Sequence, residues 1–257
     1  MFEAKFMLFL LNHPVIFFVV NLILLWSSAQ CGALLRKKHH PIPLEDAHDH
    51  SLVLGATLTL LGLLIGFTLS MAVGRYDQRK SYEEEEAKAI GTEYVRADLL
   101  PAVDAVIVRS LLREYLAQRL IFYTGTRWEA VRENDPATAD LQARLWAAIM
   151  PAANAEPTRA HALVVSGMND VLNRRGYTMA AWLNRVPVAA WFLVLAIAIF
   201  SGILLGYWSK RKSRVMLLLL PIALSISFFL ISDIDSPRGG VIRVRPQNLA
   251  ILAESLR

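Results

Sequence analysis

Cysteine is almost missing from this sequence: Cys31 is the only one in 257 residues, so no disulfide framework can hold the fold. Glycine and proline, at 13 and 11 residues, are too few for a collagen or a low-complexity chain. Charge is also scarce. Asp, Glu, Lys and Arg make up 19% of the residues, against about 25% in soluble domains. The 27 basic and 22 acidic residues leave a net charge of +5, small and scattered along the chain, so it announces no nucleic-acid surface and no nucleic-acid partner is expected. Apolar residues fill the space: they reach 55% of the chain, with a mean hydropathy of +0.40.

The distribution of charge is more informative than its amount. Phe6–Leu35, Ser51–Gly74, Val186–Ser209 and Val215–Ser232 hold 30, 24, 24 and 18 residues without Asp, Glu, Lys or Arg. About 20 apolar residues in a helix cross the ~30 Å hydrocarbon layer. Four transmembrane spans are therefore expected in an all-α membrane protein, multi-pass in the cell membrane, with the lipid bilayer as its first partner. The first span is expected at about Val15–Leu35, after a break at His13-Pro14. It reads as a retained anchor, because Gln30 before Cys31 and the lack of an Ala-x-Ala site argue against a cleaved leader.

Segment 75–185 has a different composition: charges return, and apolar residues recur at helical spacing. Ala87, Ile90, Tyr94 and Ala97 make one stripe, and Val103, Val106, Ile107, Ser110, Leu111 and Tyr115 continue it beyond Pro101. Further helices are expected at Ala139–Met150 and about Arg159–Leu183, with turns at 133–136 and 154–157. The acidic run Glu83–Glu86 reads as a solvated face, since adjacent helical residues point in different directions. The expected organisation is thus a first transmembrane pair (1–74), a helical extramembrane domain (75–185), a second pair (186–232) and a C-terminal tail (233–257). Lys and Arg favour the domain side by number and the two short loops by density, so sidedness stays open.

The second span carries a pattern. Gly62, Gly66, Ser70 and Gly74 recur every four residues, with Gly55 seven positions earlier; Gly202 and Gly206 repeat the device in the third span. Small residues at this spacing let two backbones approach closely. Beside them runs a bulkier row, Leu63, Phe67 and Met71, with the Thr59 and Thr68 hydroxyls nearby. Helix packing accounts for the small face. If several subunits set the larger row around an axis, it would form a hydrophobic constriction. The spans contain no Asp, Glu, Lys or Arg, so they offer no proton relay built from these residues.

The second and fourth spans should end on the same side, each followed by charges. Arg75, Asp77 and Arg79 follow one, and Asp233, Asp235 and Arg238 the other. An ion-pair cluster is expected there; a divalent-cation site on Asp233 and Asp235 is the rival reading, short of ligands. His39-His40 and the His48/His50 pair read as loop residues rather than a metal site. Tyr76, Trp191 and Trp208 read as aromatics near the span ends, and Asn169, Asp170 and Asn173 as a polar helix face. Neither a catalytic constellation nor a cofactor motif is found.

Several runs resemble one family. Gly66–Arg79 (GFTLSMAVGRYDQR), Glu86–Thr92 (EAKAIGT), Arg96–Pro101 (RADLLP), Met168–Asp170 (MND) and Asp233–Gly239 (DIDSPRG) are similar to the bestrophin-like membrane proteins, a family related to bestrophin anion channels. The resemblance covers nearly the whole chain beyond His50. It implies a cytoplasmic domain, a ring-shaped homo-oligomer, inorganic anions as the permeant partner, and Phe67 as a residue of the pore neck. The dense acidic calcium clasp of animal bestrophins has no counterpart here, so the resemblance does not extend to calcium gating. A non-conducting structural or signalling protein, whose helical domain binds a partner, is the alternative.

Overall fold

The structure, a computed structural model, describes residues 7, 9–38, 46–125, 128–208 and 216–257. Their order is α1 (Pro14–Lys38), α2 (Asp46–Arg96), a tight turn at Ala97–Leu99, α3 (Ala102–Thr124), α4 (Trp128–Ala155), α5 (Arg159–Leu183), α6 (Val188–Trp208), α7 (Met216–Asp235) and α8 (Gln247–Ser255). There is no strand among the described residues. Four of the helical stretches are long and apolar enough to cross a membrane. The His39-His40 pair, the side chains of His48 and His50 and the loop 209–214 lie outside the described residues.

Local chemistry places the ends. Pro14 starts α1 at the position where a missing N–H costs least. Pro101 precedes α3 with Asp104 in its first turn, and the Thr158 hydroxyl accepts from the His161 N–H to cap α5. Two expectations need correction. The second span and the helix carrying the Ala87, Ile90 and Tyr94 stripe are one helix of 51 residues, because nothing between Gly74 and Glu83 breaks the backbone ladder. The turn expected at 133–136 is absent as well: α4 runs through Pro136 and Pro151, tolerating the donor each proline removes.

The chain divides into two compact units. The first takes the residues up to Gly74 together with Arg185–Ile242, and the second takes Arg75–Asn184 with Arg243–Arg257. In the first unit α1 packs along α6 and α7. Its core joins Phe17, Leu25, Leu61, Ala72, Val194 and Phe228. Trp191 lies in that core: it is fully buried, with the rings of Phe17 and Phe228 5.2 and 6.4 Å from its own. In the second unit α3 packs on α4 and α8, and α4 on α5, around Ile90, Leu112, Tyr115, Leu145, Met168 and Trp182.

Candidate functional site

The membrane segment of α2 differs from the other spans in how little of it the chain covers. Of its most apolar window 11% is buried, against 44% for the span in α7. Its covered side is a single stripe. Leu61, Thr68 and Ala72 are buried, and Leu64, Ile65 and Leu69 pack against the same core. The remainder faces outward. Leu63, Phe67 and Met71 are 55%, 59% and 40% exposed. Thr59 and Ser70 are exposed as well, and a Cβ placed on Gly55, Gly62, Gly66 or Gly74 would meet nothing within 4 Å. The small row and the bulky row thus share one open face, with no charge along it.

The hydroxyls behave differently from the expectation. Thr59 lies on the open face, but its Oγ1 donates to the Gly55 carbonyl at 2.9 Å. Thr68 points into the core and donates to the Leu64 carbonyl at 2.7 Å. One residue beyond Phe67 is a rotation of about 100°, enough to change faces.

Gly202 and Gly206 are packed instead. A Cβ on Gly206 would overlap the Ala29 carbonyl, and one on Gly202 the Ser28 hydroxyl. Gly32 meets the Ile203 carbonyl from the other side. These small residues bring α1 and α6 into backbone contact. Ser28 and Gly32, four residues apart, are the signal in the sequence that would have located this contact.

Of the six charged residues beyond the spans, Arg79, Asp233 and Asp235 have hydrogen-bond partners within their own units. In the second unit the buried Arg79 donates from Nε to the Ala181 carbonyl at 3.2 Å and from Nη2 to the Asn184 carbonyl at 3.3 Å, at the end of α5. Arg75 is half-buried and Asp77 exposed. In the first unit Asp233 accepts from the Val241 and Ile242 N–H groups at 2.7 and 2.8 Å. Asp235 accepts from the Val186 N–H at 3.1 and 3.2 Å, just ahead of α6. Arg238 is buried, and the Ser236 hydroxyl accepts from Arg185 at 3.3 Å. Asp233 therefore ties the loop after α7 back on itself; a Cβ on Gly240 would overlap the Asp233 carbonyl. No group of three or more potential metal ligands occurs among the described residues.

The acidic run corrects the sequence reading most sharply, for only Glu84 and Glu85 reach the surface. Glu84 pairs with Lys88 at 2.5 Å, and Glu85 pairs with Arg174. Glu83 is buried, with the Leu249 N–H at 2.9 Å and the Asn248 side chain at 2.7 Å, so it caps the start of α8. Glu86 is wholly buried against Arg119 and accepts from the Tyr123 and Thr178 hydroxyls at 3.1 and 3.3 Å. Burial, reinforced by the Glu86 charge, holds the Tyr115 and Tyr123 hydroxyls well above the ordinary tyrosine range. Three- and four-residue steps carry Glu83 and Glu86 onto the Ile90 stripe already visible in the sequence.

The model of the bestrophin-like domain matches residues 15–249. The chain belongs to the bestrophin-like family. Solved structures of a bacterial bestrophin homologue from Klebsiella pneumoniae share its fold. One aligns with a TM-score of 0.66 at 13% identity, over 93% of this chain and 97% of that one. Another aligns with a TM-score of 0.62 at 15% identity, over 94% and 95%. A further structure, described only as a membrane protein, gives 0.65 at 14% identity over 93% and 97%. Among curated proteins nothing matches. This bestrophin-like protein is thus an all-α membrane protein with four spanning helices.

Proposed function

We propose that this bestrophin-like protein assembles as a ring of identical subunits, with the open face of α2 towards neighbours and axis, and conducts ions through the centre. One observation carries the reading: the face holding Gly62, Gly66, Ser70 and Gly74 is open, with no partner for its glycines among the described residues, although small residues serve close helix contact. A second α2 is the natural partner. Leu63, Phe67 and Met71 then project together and form an apolar neck able to gate by losing its water. That neck carries no charge, so anion preference has to arise outside it, from basic groups at the ends of the path. Small inorganic anions follow from the kinship with bestrophins.

Purified protein in planar bilayers should pass current, with a reversal potential set by the chloride gradient. Phe67→Ala should raise the unitary current severalfold and leave the helical content unchanged. Silent bilayers containing an intact oligomer would defeat the proposal. A monomer or dimer by native mass measurement would favour the alternative, a non-conducting protein whose helical unit binds a partner.

A further inference from the structure

Among the described residues outside the membrane segments, one buried carboxyl group has no hydrogen-bond partner. Glu93, near the end of α2, is wholly buried, and neither of its side-chain oxygens has a hydrogen-bond partner. It lies seven residues after Glu86 on the same helix face, yet its surroundings are the opposite. Glu86 faces an arginine and two hydroxyls, whereas Glu93 faces a glycine. A Cβ on Gly167 of α5 would overlap both Glu93 Oε2 and Arg96 Nη1. The backbone amides in the interior of α5 are committed to the helix ladder and cannot serve the carboxylate.

The charged neighbours do not correct this. Arg96, on the same helix, donates to the Leu163 carbonyl at 3.4 Å instead. Asp170 of α5 opposes a second negative charge. Farther along the groove Glu85 is paired with Arg174, and Lys88 with Glu84. Across the turn, Asp98 pairs with Arg109 of α3 at 2.5 Å. A buried carboxylate with no hydrogen-bond donor is strongly disfavoured, and such a group binds a proton instead. Burial, with Asp170 adding to it and Arg96 opposing, raises the Glu93 carboxyl from 4.5 to about 7.

We propose that Glu93 is a proton-binding site that controls how tightly the extramembrane part of α2 closes on α5. In the protonated form the neutral carboxyl rests against the bare Gly167 backbone, and the seam stays dry. Losing the proton leaves a carboxylate that needs water or a cation. Both are close at hand. A groove of about 200 Å³ lined by Thr92, Arg96, Gly167 and Asp170 adjoins the seam. Arg96 Nη1, which reaches the Leu163 carbonyl in the first part of α5, lies beside the same Gly167 and is drawn towards the new charge. Deprotonation therefore loosens α5 around Gly167. The sign follows from linkage: the folded chain holds this proton more tightly than the unfolded chain does. Stability then falls as pH rises from about 4.5 towards about 7, and levels off above that.

The test uses the full chain in lipid nanodiscs and needs no current, so it stands apart from the channel proposal. Hydrogen–deuterium exchange at Leu163–Val171, corrected for the intrinsic pH dependence, should speed up severalfold as pH passes through about 7. Difference infrared spectra should show a protonated-carboxyl band lost over the same interval. Glu93→Gln should remove that band and keep exchange slow at every pH, while Glu93→Asp should keep a titration. Exchange with the same pH profile in the native chain and in Glu93→Gln would overturn the proposal. So would a carboxyl band that survives Glu93→Gln, and Glu93→Asp supplies the titration should Gln prevent folding.

Discussion

Two sets of glycines in the membrane unit look alike in sequence and behave in opposite ways. Gly202 and Gly206 on α6, with Gly32 on α1, sit where any side chain would run into a neighbouring helix. Gly55, Gly62, Gly66 and Gly74 on α2 meet nothing. In the first set the absent Cβ is already used, because it lets α1 lie along α6 inside one chain. In the second set the same device is unused among the described residues, which is why we propose a partner from outside the chain. Four-residue spacing of small residues therefore marks where a helix can be approached; it does not say by what.

Substitutions can break or sharpen that contrast. Gly206→Val should have the largest effect, since the new side chain meets backbone at Ala29. Overpacking of this kind costs at least about 1–3 kcal/mol, and loss of folded protein on gel filtration is expected. Gly202→Ala should be milder, because its obstacle is the Ser28 hydroxyl, which can rotate away. A loss of about 1 kcal/mol is expected there from the thermal midpoint. Gly66→Ala should be the mildest for the subunit. An alanine in an open helix gains about 0.5–1 kcal/mol over glycine, so helicity should hold or rise, while native mass measurement should show the ring weakened. If Gly66→Ala harmed the subunit as Gly206→Val does, the contrast between the two faces would be lost.

The helical unit offers a parallel contrast on one helix. Glu86 and Glu93 are both wholly buried, but only Glu86 has partners. The first is a fixed anchor for α3 and α5, and the second is free to exchange its proton. Neither role could be assigned from α2 alone, because the deciding residues lie at 119, 123, 167 and 178.

Much of the fold was legible beforehand. The expected fourth helix of the domain, Arg159–Leu183, matches α5, and each charge-free run contains a membrane helix. Hydrophobic length reports directly on helix and bilayer, which is why those elements read clearly. The continuity of α2 and the passage of α4 through two prolines were missed, because composition shifts and turn residues overstate the tendency to break. The burial of Trp191 was not legible for another reason: an aromatic near a span end looks the same in sequence whether it faces headgroups or the rings of Phe17 and Phe228. The open face of α2 was visible as a pattern, and its lack of cover was not.

The sequence by itself determined that this chain lives in a membrane, crosses it with four helices and carries a helical unit between the second and third. These follow from the free energy of apolar surface and of charge, which each residue brings with it regardless of context. Only the tertiary structure decided which glycines are already in contact, which glutamates are buried, and which of those lacks a partner. Such outcomes depend on what stands a few ångströms away across a seam, and residues far apart in the chain supply it.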